Sequence, residues 1–323
     1  MKTRPLGKTG LEISVVGVGA WAMGGGDYAF GWGPQDDAES VAAIERAVDL
    51  GINWVDTAPV YGLGRSEEVV GRALKRLGSR RPLVFTKCSL VWEPGRREVH
   101  HSLEAASIRR EVESSLHRLG VDAIDLMQVH WPRFFNQPTA GSLEEAWTEL
   151  AALKAAGKLR HIGVSNFKAD DVDRLSPIAP VETLQPPYSL LRRAAEADIL
   201  PYCLARQMGV IVYSPMQAGL LSGRMTAERV AALPEDDWRK RTPEFQEPKL
   251  SRSLAFVETL RAVGVRHGRS PGEVAVAWVL KNPAVTGAIV GFRRAQQVNE
   301  IAGAAGIRLG DADLHEIETA LAR

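Results

Sequence analysis

The sequence predicts an α/β protein of the TIM-barrel class, a (β/α)8 barrel, and three observations predict it. Short apolar runs alternate with amphipathic helical stretches eight times along 323 residues. Strict alternation implies parallel strands joined by crossovers. No linker or shift of composition interrupts the series, so one closed barrel over residues 1–323 is favoured over a doubly wound sheet with a second domain. Several runs also end on polar residues, which is expected where strand ends converge on one mouth.

The elements follow in order. Thr3-Arg4-Pro5-Leu6 and Leu11-Glu12-Ile13-Ser14-Val15 flank Gly7-Lys8-Thr9-Gly10 and read as an opening hairpin. A first strand at 16–19 is followed by a helix over 37–50, with Glu39 and Ser40 in its first turn and Gly51 as its stop. Strand 52–56, helix 66–77, strand 82–87, helix 103–119 and strand 124–130 come next. Helix 142–156, strand 160–165, helix 168–176, strand 181–185, helix 195–208 and strand 209–214 continue the pattern. The segment 216–250 reads as a long loop, and loops of that length in compact domains are usually functional. Extra helices near 250–267 and 271–281 precede strand 286–290 and helix 294–303, and a helix over 311–322 comes last.

Bulk composition narrows the function classes. Hydrophobic residues make up 45% of the chain, and 40 basic against 39 acidic residues give a net charge of +1. No basic field favours nucleic acid or a membrane surface as partner. Cys88 and Cys203 are too few for a disulfide framework or a four-cysteine zinc site, which suggests a reducing cytoplasm. Glu12, Gly17 and Gly19 break the apolar stretch near the start that a signal peptide would need. No apolar run approaches the length of a membrane span.

Gly17-Val18-Gly19-Ala20-Trp21-Ala22 matches the dinucleotide fingerprint G-x-G-x-x-A, with Asp36 and Asp37 about twenty positions on. That fingerprint requires a helix to open at its end. Met23-Gly24-Gly25-Gly26-Asp27-Tyr28 cannot supply one, so the glycines are read as a tight loop at the barrel mouth.

The chemistry is expected from Asp56, Tyr61, Lys87 and His130. Neighbouring parallel strands lie about 4.8 Å apart, so the ends of 52–56, 82–87 and 124–130 bring an acid, a cation and an imidazole to one rim. A lysine ending a buried strand needs a counter-ion, and Asp56 is at hand. Tyr61 follows five residues later and can fold over the same rim. A nearby ammonium would lower its pKa and make it a general acid, with His130 orienting the acceptor oxygen. Singly, each has a plain structural reading as core ion pair, loop aromatic or bonded histidine. Jointly, they suit delivery of a proton to a carbonyl that receives a hydride.

These residues resemble the aldo-keto reductase family. The resemblance is carried by Val55-Asp56-Thr57-Ala58-Pro59-Val60-Tyr61-Gly62, Phe85-Thr86-Lys87, Gln128-Val129-His130-Trp131-Pro132 and Ile162-Gly163-Val164-Ser165-Asn166-Phe167. Gln185-Pro186-Pro187-Tyr188-Ser189-Leu190, Tyr213-Ser214-Pro215 and Gly219-Leu220-Leu221-Ser222-Gly223 continue it in the same order. It runs essentially end to end, and is greatest toward bacterial members of the general-stress and inositol-utilisation type. In that family the opening hairpin plugs the barrel bottom. The resemblance implies reduction of aldehydes or ketones with NADPH, with Asp56, Tyr61, Lys87 and His130 as a catalytic tetrad. It assigns the nicotinamide carboxamide to Ser165, Asn166 and Gln185, and the ring stack to Tyr213. Ser214, Gly219, Leu221, Gly223 and Arg224 would follow the pyrophosphate. Gly291, Arg293, Arg294, Gln297 and Glu300 fall in the adenosine-phosphate region. Ile301 stands where many relatives carry asparagine, leaving Glu300 for adenine. Gly291 and Gln297 stand where animal-type members carry lysine and arginine, so a preference for NADPH rests on Arg293 and Arg294.

Trp21, Trp92 and Trp131, with Met23, Tyr28, Phe30 and Trp32, suggest an aromatic wall around the substrate, Trp21 also touching the cofactor. Arg96, Arg97, His100 and His101 would select anionic substrates if they faced it. Two other classes fit parts of the pattern: a Schiff-base lyase with Lys87 as nucleophile, and a nicotinamide-binding regulatory subunit without turnover.

Overall fold

A computed structural model of the protein describes residues 1–26 and 28–322, so Asp27 in the stretch after the glycine fingerprint lies outside the described residues. The opening hairpin is present, β1 (Thr3–Pro5) pairing antiparallel with β2 (Glu12–Ser14). β3 (Val16–Gly19), α1 (Asp37–Asp49), β4 (Trp54–Asp56), α2 (Arg65–Leu77) and β5 (Leu83–Cys88) follow. After β6 (Leu90–Val91) and β7 (His100–Leu103) come α3 (Ala105–Leu119), β8 (Ile124–Val129), β9 (Thr139–Gly141) and α4 (Leu143–Ala155). β10 (Leu159–Ser165), α5 (Ala169–Leu175), β11 (Thr183–Gln185), α6 (Ile199–Arg206) and β12 (Gly209–Val212) lead to α7 (Ala227–Ala231). α8 (Lys249–His267), α9 (Pro271–Lys281), β13 (Gly287–Gly291), α10 (Ala295–Ile301) and α11 (Asp311–Leu321) complete the order.

Eight strands close a parallel barrel in the order β3-β4-β5-β8-β10-β11-β12-β13, with β13 pairing back to β3. Its interior follows from strand periodicity. Trp54, Phe85, Leu126, Ile211 and Ile289 point inward from five strands and form one cluster, which Leu6 and Ile13 of the hairpin complete from below. The Trp54 indole N–H donates to Ser14 O at 2.7 Å, tying hairpin to barrel. The hairpin is therefore a plug. Burying each such side chain contributes about 1.5–3 kcal/mol.

Alternation then fixes the mouth. Two residues beyond inward-facing Trp54, Phe85, Leu126 and Ile211 stand Asp56, Lys87, Gln128 and Tyr213. The interior thus changes from apolar to polar one layer from the top. Helix ends match their signals: Asp36 caps α1 by accepting from Ala38 N, and Ser270 with Glu273 forms a capping box on α9 behind Pro271.

Three predicted stretches differ from the structure. Helix 103–119 begins only at Ala105, because His100–Leu103 is a strand in a small sheet outside the barrel, β6-β7-β9. Helix 195–208 is a 3-10 turn at Ala194–Glu196 followed by α6, with Asp198 capping Ile199 between them. The segment 216–250 is no open loop. It holds α7 and 3-10 turns at Gln217–Ser222, Trp238–Arg241 and Pro243–Phe245, packed around Leu220, Met225, Val230, Leu233, Phe245 and Leu250. Among the described residues, no helix is long and apolar enough to cross a membrane.

Candidate active site

Asp56, Tyr61, Lys87 and His130 meet at the C-terminal rim of the barrel. Register sets Asp56 beside Phe85 and Lys87 beside Gln128, so acid and cation come from adjacent strands. Lys87 is fully buried. Its Nζ donates to Asp56 Oδ1 at 2.6 Å, Thr57 O at 3.0 Å and Tyr61 Oη at 3.3 Å. Three acceptors use all three ammonium donors. Tyr61 is placed by the turn after β4, its N–H donating to Ala58 O at 3.1 Å. The His130 ring stands edge-on to Tyr61 at 5.9 Å, and its backbone N–H donates to Cys88 O at 3.0 Å.

The electrostatics correct one expectation. The Tyr61 phenol is pushed well above the usual tyrosine range, not below it, by burial first and then by the Asp56 carboxylate and Tyr213. Lys87 is shifted down by burial, against the upward pull of Asp56. The shorter bond of Lys87 goes to Asp56, so its charge is largely compensated before it reaches the phenol. His130 lies well below the ordinary histidine value, through burial, Lys87 and His101, so its imidazole is neutral near pH 7. The rim therefore holds a loaded phenol donor, a paired ammonium and a neutral imidazole.

The residues expected around the nicotinamide form one polar chain. Tyr213 Oη donates to Asn166 Oδ1 at 2.8 Å, and Asn166 Nδ2 donates to His130 O at 3.0 Å and Ser165 Oγ at 3.1 Å. Ser165 Oγ donates to Gln185 O at 2.9 Å. Gln185 Nε2 donates to Asp56 Oδ2 at 2.8 Å, so this amide also braces the carboxylate that holds Lys87. Asn166 and Ser214 both take left-handed backbone, with φ of 63° and 56°, just beyond the ends of β10 and β12.

The residues expected along the cofactor phosphates divide. Gly219 (φ 96°) and Gly223 (φ 78°) shape the turn after β12, with Leu221 buried between them and Ser222 Oγ on Gly219 O at 2.6 Å. Arg224 pairs with Glu300 at 2.5 Å. Gln297 Oε1 accepts from the N–H groups of Arg293 and Arg294 and caps α10. A Cβ on Gly291 would meet nothing nearer than Gly19 O at 3.9 Å, so that strand end is open. Arg293 is committed elsewhere: its guanidinium donates to Gln35 Oε1 at 2.5 Å, to Pro34 O and to Trp32 O at 3.4 Å. Arg294 is largely exposed and only loosely paired with Glu39, at 3.9 Å.

Trp21 stacks on Tyr61 at 5.9 Å and on Trp238 at 5.0 Å, with Trp32 edge-on at 5.3 Å. Trp131 stacks on His130 at 6.4 Å and begins a second group with Phe134, Phe135 and Phe30. Trp92 sits apart, with Arg118 over its ring. His101 does not face the mouth as a cation. It is buried and bridges Thr139 Oγ1 and Trp131 O at 2.8 and 3.0 Å.

Sequence reasoning missed Gln128, whose Nε2 reaches Asp56 Oδ2 at 3.4 Å; the two-residue period before His130 would have pointed to it. It also missed Trp238, brought over the mouth by Trp238 N–H on Gly31 O at 2.9 Å, a contact across two hundred positions that no local pattern encodes. Two surface cavities of about 740 and 480 Å³ lie away from these residues, beside Arg72 and Arg160 and beside the hairpin.

Comparison with known proteins gives one consistent family. The profile of the Aldo/keto reductase family matches residues 15–322. Aldo-keto reductase YhdN of Bacillus subtilis (strain 168) is 38% identical, covering 99% of this chain and 94% of the relative. The NADH-specific methylglyoxal reductase of Escherichia coli (strain K12) is 36% identical with both chains fully covered. The solved glycerol dehydrogenase AKR11B4 from Gluconobacter oxydans superposes with a TM-score of 0.87 at 38% identity, over 99% of this chain and 95% of that one.

Proposed function

Since this chain belongs to the aldo/keto reductase family of nicotinamide-dependent oxidoreductases, we propose that it reduces small aldehydes and ketones to alcohols with NADPH, Tyr61 supplying the proton. The observation that carries this reading is the placement of Lys87 Nζ between Asp56 Oδ1 and Tyr61 Oη in a buried rim. The residues fit a dinucleotide: left-handed turns at Ser214, Gly219 and Gly223, an open strand end at Gly291, and an exposed cation at Arg294. Ser165, Asn166 and Gln185 would hold the carboxamide, Tyr213 the ring face, residues 219–224 the pyrophosphate and Glu300 the adenine side. Bound there, the reduced nicotinamide would supply the hydride for the carbonyl carbon.

Tyr61 donates its phenolic proton to the carbonyl oxygen as negative charge develops on it. The phenolate left behind lies beside the Lys87 ammonium, which stabilises it in a site of low dielectric. Asp56, braced by Gln185 and Gln128, keeps Lys87 charged and aimed. Neutral His130 orients the carbonyl oxygen from the other side. Trp21 and Trp131 flank the substrate and exclude water. A Schiff-base role for Lys87 is disfavoured, because its amine is fully buried and held at 2.6 Å by Asp56.

Selection of the 2′-phosphate falls mainly to Arg294, since Arg293 would have to leave Gln35. One charge-assisted hydrogen bond, about 1.5–3 kcal/mol, gives NADPH an advantage of roughly ten- to a hundredfold, with NADH still accepted. We also infer a cytoplasmic setting, for which the two free, buried cysteines speak.

The test is oxidation of NADPH with a panel spanning methylglyoxal, glyceraldehyde, dihydroxyacetone and benzaldehyde. Tyr61→Phe is expected to lose about 10²–10⁴-fold in kcat while cofactor binding, read from tryptophan fluorescence, is retained. Undiminished turnover in that variant would refute the assignment.

A further inference from the structure

Behind the strand end that carries Lys87 lies a buried carboxyl group to which the reaction above gives no task. Glu111, on the inner face of α3, accepts the Ser89 backbone N–H on Oε2 at 2.8 Å, and its Oε1 meets the Ser107 hydroxyl at 3.2 Å. The charged and titratable groups facing it are Glu67 from α2, Arg110 from its own helix and the Cys88 thiol from β5. Burial, helped by Glu67, outweighs the Ser89 and Ser107 hydrogen bonds and Arg110, and raises its carboxyl to about 8. Glu67 differs, because Arg118 pairs with it at 2.7 Å.

The bond to Ser89 falls at a strained place. Ser89 is a non-glycine residue with φ of 86°, a conformation that costs about 1–3 kcal/mol and persists only where its surroundings hold it. Glu111 holds its N–H, and Ser102 N–H holds its carbonyl oxygen at 3.1 Å. The turn follows Lys87 by two residues, and the intervening Cys88 carbonyl accepts the backbone N–H of His130 at 3.0 Å. One short segment therefore joins the backbone of Lys87 to that of His130.

We propose that Glu111 is a positioning residue for Lys87 and His130, acting through the left-handed turn at Ser89 that it clamps from behind. The assignment rests on the functional reading above. A neutral carboxylic acid suits the task, accepting from Ser89 on one oxygen and bonding Ser107 with the other. Ionisation strengthens both hydrogen bonds but leaves a charge in a buried site, beside Glu67, and opening the turn to water relieves that burial.

Two variants test this. Glu111→Ala is expected to lower kcat about ten- to a hundredfold, the scale of a misplaced catalytic group, with NADPH affinity unchanged. Glu111→Gln imitates the neutral acid and is expected to keep kcat at pH 7, but to lose the fall in kcat near pH 8 that is expected of the wild type. Wild-type kcat in a soluble Ala variant overturns the proposal. Should that variant fail to fold, the Gln variant decides, and a kcat–pH curve superposable on the wild type overturns it. If the wild type binds NADPH yet reduces nothing, the functional reading falls instead. Hydrogen exchange at residues 87–90, expected to quicken in Glu111→Ala, then judges the clamp, and unchanged protection refutes it.

Discussion

Lys87 is the residue on which the charge balance of the mouth depends. A fully buried ammonium is tolerated only because Asp56 Oδ1, Thr57 O and Tyr61 Oη accept all its donors. The same burial keeps the Tyr61 phenol protonated well past neutral pH. Beyond β13 the two adjacent arginines have different surroundings. Arg293 links β13 to the 32–36 loop through Gln35, whose Nε2 donates back to Arg293 O at 2.9 Å. Arg294 reaches solvent. Arg294→Ala is expected to raise the KM for NADPH about tenfold and leave that for NADH unchanged. Arg293→Ala is expected to weaken both cofactors alike and lower thermal stability. Steady-state kinetics with each cofactor separates the two, and an NADPH-selective loss in Arg293→Ala would reverse their roles.

At the scale of elements, the helices are anchored by capping chemistry and by a few charged contacts. α11 is fastened to α8 by Asp313, which pairs with Arg266 at 2.8 Å and His267 at 2.8 Å while accepting the Gly310 N–H at 3.1 Å. Although partial burial opposes it, these bonds draw the Asp313 carboxyl down to about 2. A lowered folded-state pKa contributes stability that is present above the unfolded value near 3.9 and lost as pH falls toward 2. Asp313→Asn should therefore melt below the wild type at pH 6, with the gap closing between about pH 4 and pH 2. A gap that persists at the acid end would show that the carboxylate charge is not its source. Elements with long periodic runs or caps, such as α1 and α9, were legible in the sequence. The β6-β7-β9 sheet was not, because two- to four-residue strands carry too little periodicity to distinguish them from loop.

The whole molecule is a barrel closed around its own plug, and β3 packs closely against the side chain that β4 sends inward. There Gly17 lets the Trp54 indole lie against the backbone; an added Cβ would stand 2.2 Å from the ring. The glycine read as part of a failed dinucleotide fingerprint is a packing residue of the barrel interior. Gly17→Ala should destabilise by about 1–3 kcal/mol or more through overpacking, seen as a lower urea midpoint. An unchanged midpoint would mean that Trp54 repacks freely. The sequence by itself determined the eightfold alternation and the four rim residues Asp56, Tyr61, Lys87 and His130. Strand period and the polar end of an apolar run are local facts, written in consecutive residues. Only the tertiary structure decided which groups those residues touch. Gln185 braces Asp56, Arg293 grips the 32–36 loop, Trp238 crosses to Gly31, and the Tyr61 pKa rises because burial, Asp56 and Tyr213 all push it up. Desolvation and long-range contact depend on how distant segments pack, and no local pattern in the chain carries that information.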